Sequence, residues 1–207
     1  MIMALYGVMT LDEMLKTENY GDDEGRRSGE HAAQGPPVVA VSGVKNSGKT
    51  TLLAGIIPVL KKLGLKVAVI KHDGHDFTPD VPGTDSFRLR ASGAAGVAVY
   101  SASRCMIIKE KADVRVEDIA DQFYDMDLIL LEGGKFSGYR KVEVVRGAVS
   151  RSFVSDPATL LALCTDEDLH VEGVPVFSLN DYEGIAGRIV KFIREEDGHA
   201  RRIWQGN

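Results

Sequence analysis

Gly43-Val44-Lys45-Asn46-Ser47-Gly48-Lys49-Thr50 fits the pattern G-x-x-x-x-G-K-[ST] at every fixed position. A polyphosphate is bulky and multiply charged, so a loop that holds one must wrap it with backbone N–H groups. Gly43 and Gly48 supply the permissive backbone and the close approach. A helix starting at Gly48 aims its dipole and its unpaired N–H groups at the anion. Lys49 then reaches the β/γ-phosphates, and Thr50 offers its hydroxyl to Mg²⁺. The pattern carries weight only between a strand and a helix, and both are present. Val38–Ser42 (VVAVS) is an apolar run of strand length. Leu52, Ile56, Val59, Leu60 and Leu63 follow with helical spacing, Pro58 lies inside the pattern, and Gly64 is a C-terminal stop.

Outward from this loop, strands and helices alternate. Strands are expected at Lys66–Lys71, Leu128–Leu131, Leu160–Cys164 and Val174–Leu179, and helices at Asp85–Gly93, Val116–Tyr124 and Tyr182–Arg194. Gly96–Ala102 and Cys105–Lys109 read as two strands paired around a turn. Lys141–Val145 (KVEVV) alternates polar and apolar residues, so it is expected to be half exposed. The fold class is therefore α/β, a mostly parallel sheet with helices on both faces plus a short antiparallel strand pair.

The chain has 207 residues and a net charge of −5. Residues 1–35 hold seven acidic and three basic residues, so the remainder is near neutral at −1. Acidity argues against a nucleic-acid partner. No apolar run spans a bilayer, and two cysteines make no disulfide scaffold, so a cytoplasmic protein is expected. Glu18–Gln34 has no aliphatic side chain larger than Ala and reads as a linker. Residues 2–16 carry a short helical pattern with Thr10 and Glu13 spaced as a capping box. The division is thus an acidic extension, 1–35, and a nucleotide-binding domain, 36–207.

Ligands of open parallel sheets bind at the carboxyl ends of the strands. Glu132 ends the run Leu128-Ile129-Leu130-Leu131 and is placed to hold the metal or its water. Asp127 starts that run, at the opposite end of the sheet. Asp85 is either a second magnesium-side carboxylate or a helix N-terminal charge. Lys71-His72-Asp73-Gly74-His75-Asp76 faces the same crevice. It is read as an anion site with Arg88 and Arg90, ahead of a polar loop, with a metal site last. Guanine recognition needs a carboxylate to accept from the ring N1–H and the exocyclic amine. Asp166 and Asp168 in Thr165-Asp166-Glu167-Asp168, and Asp181 after Asn180, are the candidates.

Taken together, Val41–Leu52, Val69-Ile70-Lys71-His72-Asp73-Gly74-His75, Pro82-Gly83-Thr84-Asp85-Ser86, Arg88, Arg90, Ala91-Ser92-Gly93-Ala94, Leu131-Glu132-Gly133 and Lys141-Val142-Glu143-Val144 resemble the MobB family. These are molybdopterin-guanine dinucleotide biosynthesis adaptor proteins. The likeness covers about residues 37–196, in order. It implies a homodimeric P-loop protein that binds GTP and Mg²⁺, hydrolyses GTP weakly, and assists the guanylyltransferase that joins GMP to molybdopterin. Contact with molybdoenzyme-maturation proteins is a further implied partnership. Position by position, Gly43, Asn46, Ser47, Gly48, Lys49, Thr50 and Thr51 would bind the nucleotide. Thr50, Asp85 and Glu132 would serve the metal, with Lys49 and Glu132 the catalytic candidates. His72, Asp73, His75 and Arg88 would meet the second ligand. The chain departs from the family where Gly134 stands before Lys135, since many relatives place an aromatic residue there. The alternatives are a small-molecule or nucleotide kinase, for which an Arg-rich lid is missing, and a metallocentre-assembly GTPase, for which a His-rich tract is missing.

Overall fold

The structure, a computed structural model, describes residues 35–74 and 77–204. The helical pattern at 2–16, the linker at 18–34 and His75 lie outside the described residues. The chain forms two compact units. Among the described residues, one comprises 35–72 and 120–204; the other comprises 73–74 and 77–119.

The first unit is built on a six-stranded sheet. Its strands are β1 (Val38–Ser42), β2 (Val67–Lys71), β5 (Leu128–Glu132), β6 (Lys141–Val145), β7 (Leu160–Thr165) and β8 (Val176–Phe177). The spatial order is β2-β5-β1-β6-β7-β8, and every pairing is parallel. Helix α1 (Lys49–Lys62) follows β1, and α4 (Tyr182–Trp204) closes the unit. Apolar side chains of β1, β5 and β7 pack with Leu52, Ile56 and Leu60 of α1 and Ile185 and Ile189 of α4 into one core. The two helices approach closely because Gly55 leaves room for the ring of Tyr182, which any Cβ there would strike. Pro58 sits within α1, and Leu63 and Gly64 end it, Gly64 with φ +84°.

Register sets the site. Glu132 pairs with Val41 on one side and with Lys71 on the other, so the ends of β1, β2 and β5 lie level. Asp127 lies at the far end of the sheet, where its carboxylate accepts from Lys66 N at 2.7 Å.

The structure corrects one expectation. Strand β6 is not half exposed; all five of its residues are buried, with Lys141 at 0% and Glu143 at 1% exposure. It lies between β1 and β7, where an alternating strand has no solvent face. Its polar heads are satisfied internally instead. Lys141 Nζ donates to the carbonyls of Gly134, Lys135 and Ser137 at 3.2, 3.3 and 2.8 Å. The Glu143 carboxylate accepts from Val154 N at 2.7 Å and Ser155 N at 2.9 Å. Strand β8 is shorter than expected, and the helix at Val116–Tyr124 resolves into α3 (Val116–Ala120) followed by a 3₁₀ turn, Asp121–Phe123.

The second unit carries α2 (Asp85–Ala91) and the antiparallel pair β3 (Gly96–Tyr100) and β4 (Cys105–Lys109). Thr84 caps α2, its hydroxyl accepting from Phe87 N at 3.3 Å. No helix among the described residues is long and apolar enough to cross a membrane.

Candidate functional site

The loop between β1 and α1 needs backbone angles that most residues avoid. Gly43 has φ +134°, Asn46 +65° and Gly48 +105°. A Cβ on Gly43 would strike the Val144 carbonyl and the Ser47 hydroxyl, so the loop is pressed against β6. Gly48 is the N-cap of α1 and provides no side-chain cap. The first intrahelical bond is Leu52 N to Gly48 O, at 2.9 Å. The N–H groups of Lys49, Thr50 and Thr51 therefore have no acceptor within the helix and face outward from its positive end. Ser47 is fully buried, and its Oγ has no hydrogen-bond partner among the described residues.

Lys49 folds back over this loop. Its Nζ donates to Gly43 O at 3.0 Å and Val44 O at 2.7 Å. Burial lowers its pKa; Glu132 opposes that shift, while Lys71 and Lys135 add to it. Thr50 Oγ1 donates to Glu132 Oε1 at 2.7 Å, and Lys71 Nζ reaches the same oxygen at 3.2 Å. The hydroxyl and the carboxylate expected to serve one metal are thus brought together. Two oxygen donors of this kind suit a hard cation such as Mg²⁺, which takes few protein ligands. Among the described residues no three His, Cys, Asp or Glu side chains gather into a metal cluster.

The other expected site residues divide between the units. His72 is exposed, its N–H donates to Glu132 O at 3.2 Å, and its Cβ lies beside Gly133. Asp73, Asp85 and Arg88 belong to the second unit. There Asp85 is the first residue of α2 and pairs with Arg88 at 3.6 Å, both side chains largely exposed. Of the carboxylates considered for a base, Asp166 accepts from Gly147 N at 2.7 Å, and Asp181 accepts from Gly184 N at 2.9 Å. Asp168 is exposed and makes no side-chain hydrogen bond to the described residues.

Sequence reasoning passed over Arg146. It directly follows β6, and its Nη2 lies 3.1 Å from the point a Cβ on Gly48 would occupy. The available signal was positional: it is the residue after a strand at the carboxyl edge, beside the strand that feeds the loop. It also passed over the support beneath the loop. Ser42, the last residue of β1, shares a buried hydrogen bond with Ser155 at 3.0 Å, and Ser155 N is held by Glu143.

The sequence and the fold are similar to those of proteins already described. Residues 38–166 match the family model for molybdopterin guanine dinucleotide synthesis protein B, MobB. A molybdopterin-guanine dinucleotide biosynthesis adapter protein of Escherichia coli (strain K12) is 35% identical over 172 residues, 78% of this chain and 96% of the relative. A protein of the same name from Haemophilus influenzae is 32% identical over 139 residues, 66% of this chain and 78% of the relative. The crystal structure of Bacillus subtilis MobB superposes with a TM-score of 0.61 at 27% identity, covering 76% of this chain and 97% of that one. On sequence and fold alike, the chain belongs to the MobB family.

Proposed function

We propose that this chain binds GTP with Mg²⁺ on the loop Gly43–Thr51 and acts as an accessory protein in forming molybdopterin guanine dinucleotide. The observation that carries the reading is the Thr50–Glu132 contact of 2.7 Å at the open end of that loop. A hydroxyl on the first turn of α1 and a carboxylate ending the neighbouring strand are the donors a phosphate-bound Mg²⁺ requires. When bound, the ion neutralises developing phosphate charge. The outward N–H groups of α1 would hold the phosphate oxygens, and Lys49 would swing from the loop carbonyls to the β/γ-phosphates. Its lowered pKa fits a lysine awaiting an anion, which restores the favourable charge.

Asp168 is our choice for the guanine reader. Asp166 and Asp181 each spend an oxygen on a backbone N–H, whereas both oxygens of Asp168 are available for N1–H and the exocyclic amine. Hydrolysis is slow in this reading. Glu132 Oε1 already accepts from Thr50 and Lys71, so that oxygen is engaged by the protein rather than aimed at an attacking water. His72, exposed beside Gly133, is our choice for meeting the pterin phosphate. The working partner is a molybdopterin guanylyltransferase, and the working state a homodimer in the cytoplasm.

The adapter names of the relatives support the pathway, and the geometry of the loop supports the nucleotide. Titrating the chain into a purified molybdopterin guanylyltransferase tests the accessory role. Stimulated formation of the dinucleotide, lost in Lys49→Ala, is expected; no stimulation and no co-purification would remove the role.

A further inference from the structure

We propose that Arg146 is a phosphate-contacting residue of the nucleotide site, its guanidinium bridging the α/β-phosphates on the Gly48 side of the loop. The inference rests on the reading of Gly43–Thr51 as a nucleotide site. Three observations support it.

Charge balance comes first. Arg146 forms no ion pair among the described residues, and its buried Nε has no hydrogen-bond partner. Its guanidinium lies against Gly48, with Nη2 3.1 Å and Nε 3.7 Å from the position a Cβ would take. Gly48 is the N-cap of α1, so a cation has been placed at the positive end of a helix dipole. The first turn of that helix has no acidic residue to offset it, and Lys49 adds a second positive charge. Glu132 faces Lys49 and Thr50, but at the Gly48 corner a guanidinium meets a helix N-terminus with no ion-pair partner of its own among the described residues, an arrangement that a bound anion would balance.

The second observation is the fixing of the segment that carries Arg146. The Arg146 carbonyl accepts from Val149 N at 2.8 Å and Ser150 N at 2.9 Å, forming a tight turn. Gly147 N is held by Asp166 Oδ1 at 2.7 Å, and a Cβ on Gly147 would collide with the Glu167 carboxylate. At its far end the segment is anchored through Val154 and Ser155 to the buried Glu143, and through Ser155 to Ser42. A long side chain rooted in a segment stapled at both ends loses less freedom when it engages a ligand.

The third is chemical. A guanidinium is planar, keeps its charge at any working pH and presents a fork of donors suited to phosphate oxygens. Gly48 then has two reasons to lack a side chain: its φ of +105° and the space taken by Arg146.

The test is calorimetric binding of GTP and GDP to the full chain and to Arg146→Ala, Arg146→Lys and Lys49→Ala, with melting of each protein without nucleotide. A charge-assisted contact to the α/β-phosphates predicts a loss of about tenfold to a hundredfold in Arg146→Ala, equal for GTP and GDP. Arg146→Lys should fall between, and melting without nucleotide should stay close to the parent's. Unchanged affinity in Arg146→Ala, with Lys49→Ala still abolishing binding, would overturn the inference and leave the nucleotide reading standing. A loss confined to GTP would also overturn it, since the guanidinium would then serve the γ-phosphate. If the unaltered chain takes up neither nucleotide, the nucleotide reading fails first and the role of Arg146 with it. If Arg146→Ala does not fold, Arg146→Lys decides: a partial loss equal for both nucleotides supports the phosphate contact, whereas parent-like affinity, or complete loss in a folded protein, overturns it.

Discussion

The parallel sheet of the first unit and the segment Asp73–Ile119 treat their apolar side chains in opposite ways. In the sheet, β5, β6 and β7 are buried at every position. In the second unit, α2 has no buried residue, and Tyr100 and Ile107 on the strand pair are 85% and 66% exposed. The sheet can hold charged groups such as Lys141 and Glu143 because enough backbone surrounds them to satisfy each one. That density also makes the carboxyl edge rigid enough to align Thr50, Lys71 and Glu132. The second unit lacks such a core among the described residues and holds its charges in half-exposed pairs, Arg90–Glu110 and Lys111–Asp118 among them. Each pair of this kind contributes only modestly, so the unit depends on several of them together. Precision therefore belongs to the first unit.

The two cysteines give the widest contrast. Cys164 lies in β7 within the core, and burial, with help from Asp181, pushes its thiol up to about 12. Cys105 on β4 is exposed. At pH 8 only about one Cys164 in 10,000 would be thiolate. Native thiol titration should therefore find one fast-reacting group, removed by Cys105→Ser, with Cys164 reacting only on unfolding. Two equally fast thiols would erase the contrast.

Core truncation comes next. Ile56→Ala should cost about 2–5 kcal/mol by urea unfolding, since its side chain is fully enclosed between α1 and the sheet. Glu143→Ala should cost about 2–4 kcal/mol, because it strands the buried Ser155 N–H and the partly buried Val154 N–H and frees the segment above the loop. Thr50→Val should leave stability within about 1 kcal/mol yet weaken Mg²⁺-dependent nucleotide binding about tenfold or more. The smallest effect is expected from Ile107→Ser, under about 0.5 kcal/mol. A loss of several kcal/mol there would mean that the strand pair is covered in solution.

Acid should separate the units as well. Lys111 and Arg115 hold Asp118 well below the usual carboxylate range. A depressed carboxylate stabilises the fold above its unfolded pKa and loses that contribution as pH falls through the folded value. Amide exchange in Asp73–Ile119 should accelerate once pH drops below about 4. If exchange there is flat down to pH 2, Asp118 is not anchoring the unit.

Much of this was legible in the sequence, for identifiable reasons. The apolar runs VVAVS and LILLE and the fixed spacing of Gly43, Gly48, Lys49 and Thr50 are local signals. They do not depend on what lies opposite, so strand, loop and helix followed directly. Strand β6 misled because KVEVV carries a local pattern whose meaning depends on its neighbours. Placed between two strands, its lysine and glutamate turn inward onto carbonyls and N–H groups from loops up to 12 residues away. Arg146 was hidden for a similar reason. It belongs to no motif, and it reaches Gly48 only through the parallel pairing of β1 and β6. The preference for Asp168 over Asp166 and Asp181 likewise needed the hydrogen bonds of the other two.

The central claim is that the loop Gly43–Thr51 is a guanine-nucleotide site. Isothermal titration of GTP and of ATP, in Mg²⁺, into the full chain and into Lys49→Ala tests it most directly. Saturable GTP binding, at least tenfold tighter than ATP and reduced a hundredfold or more by Lys49→Ala, is the predicted result. ATP binding equal to GTP, or GTP binding indifferent to Lys49, would contradict it.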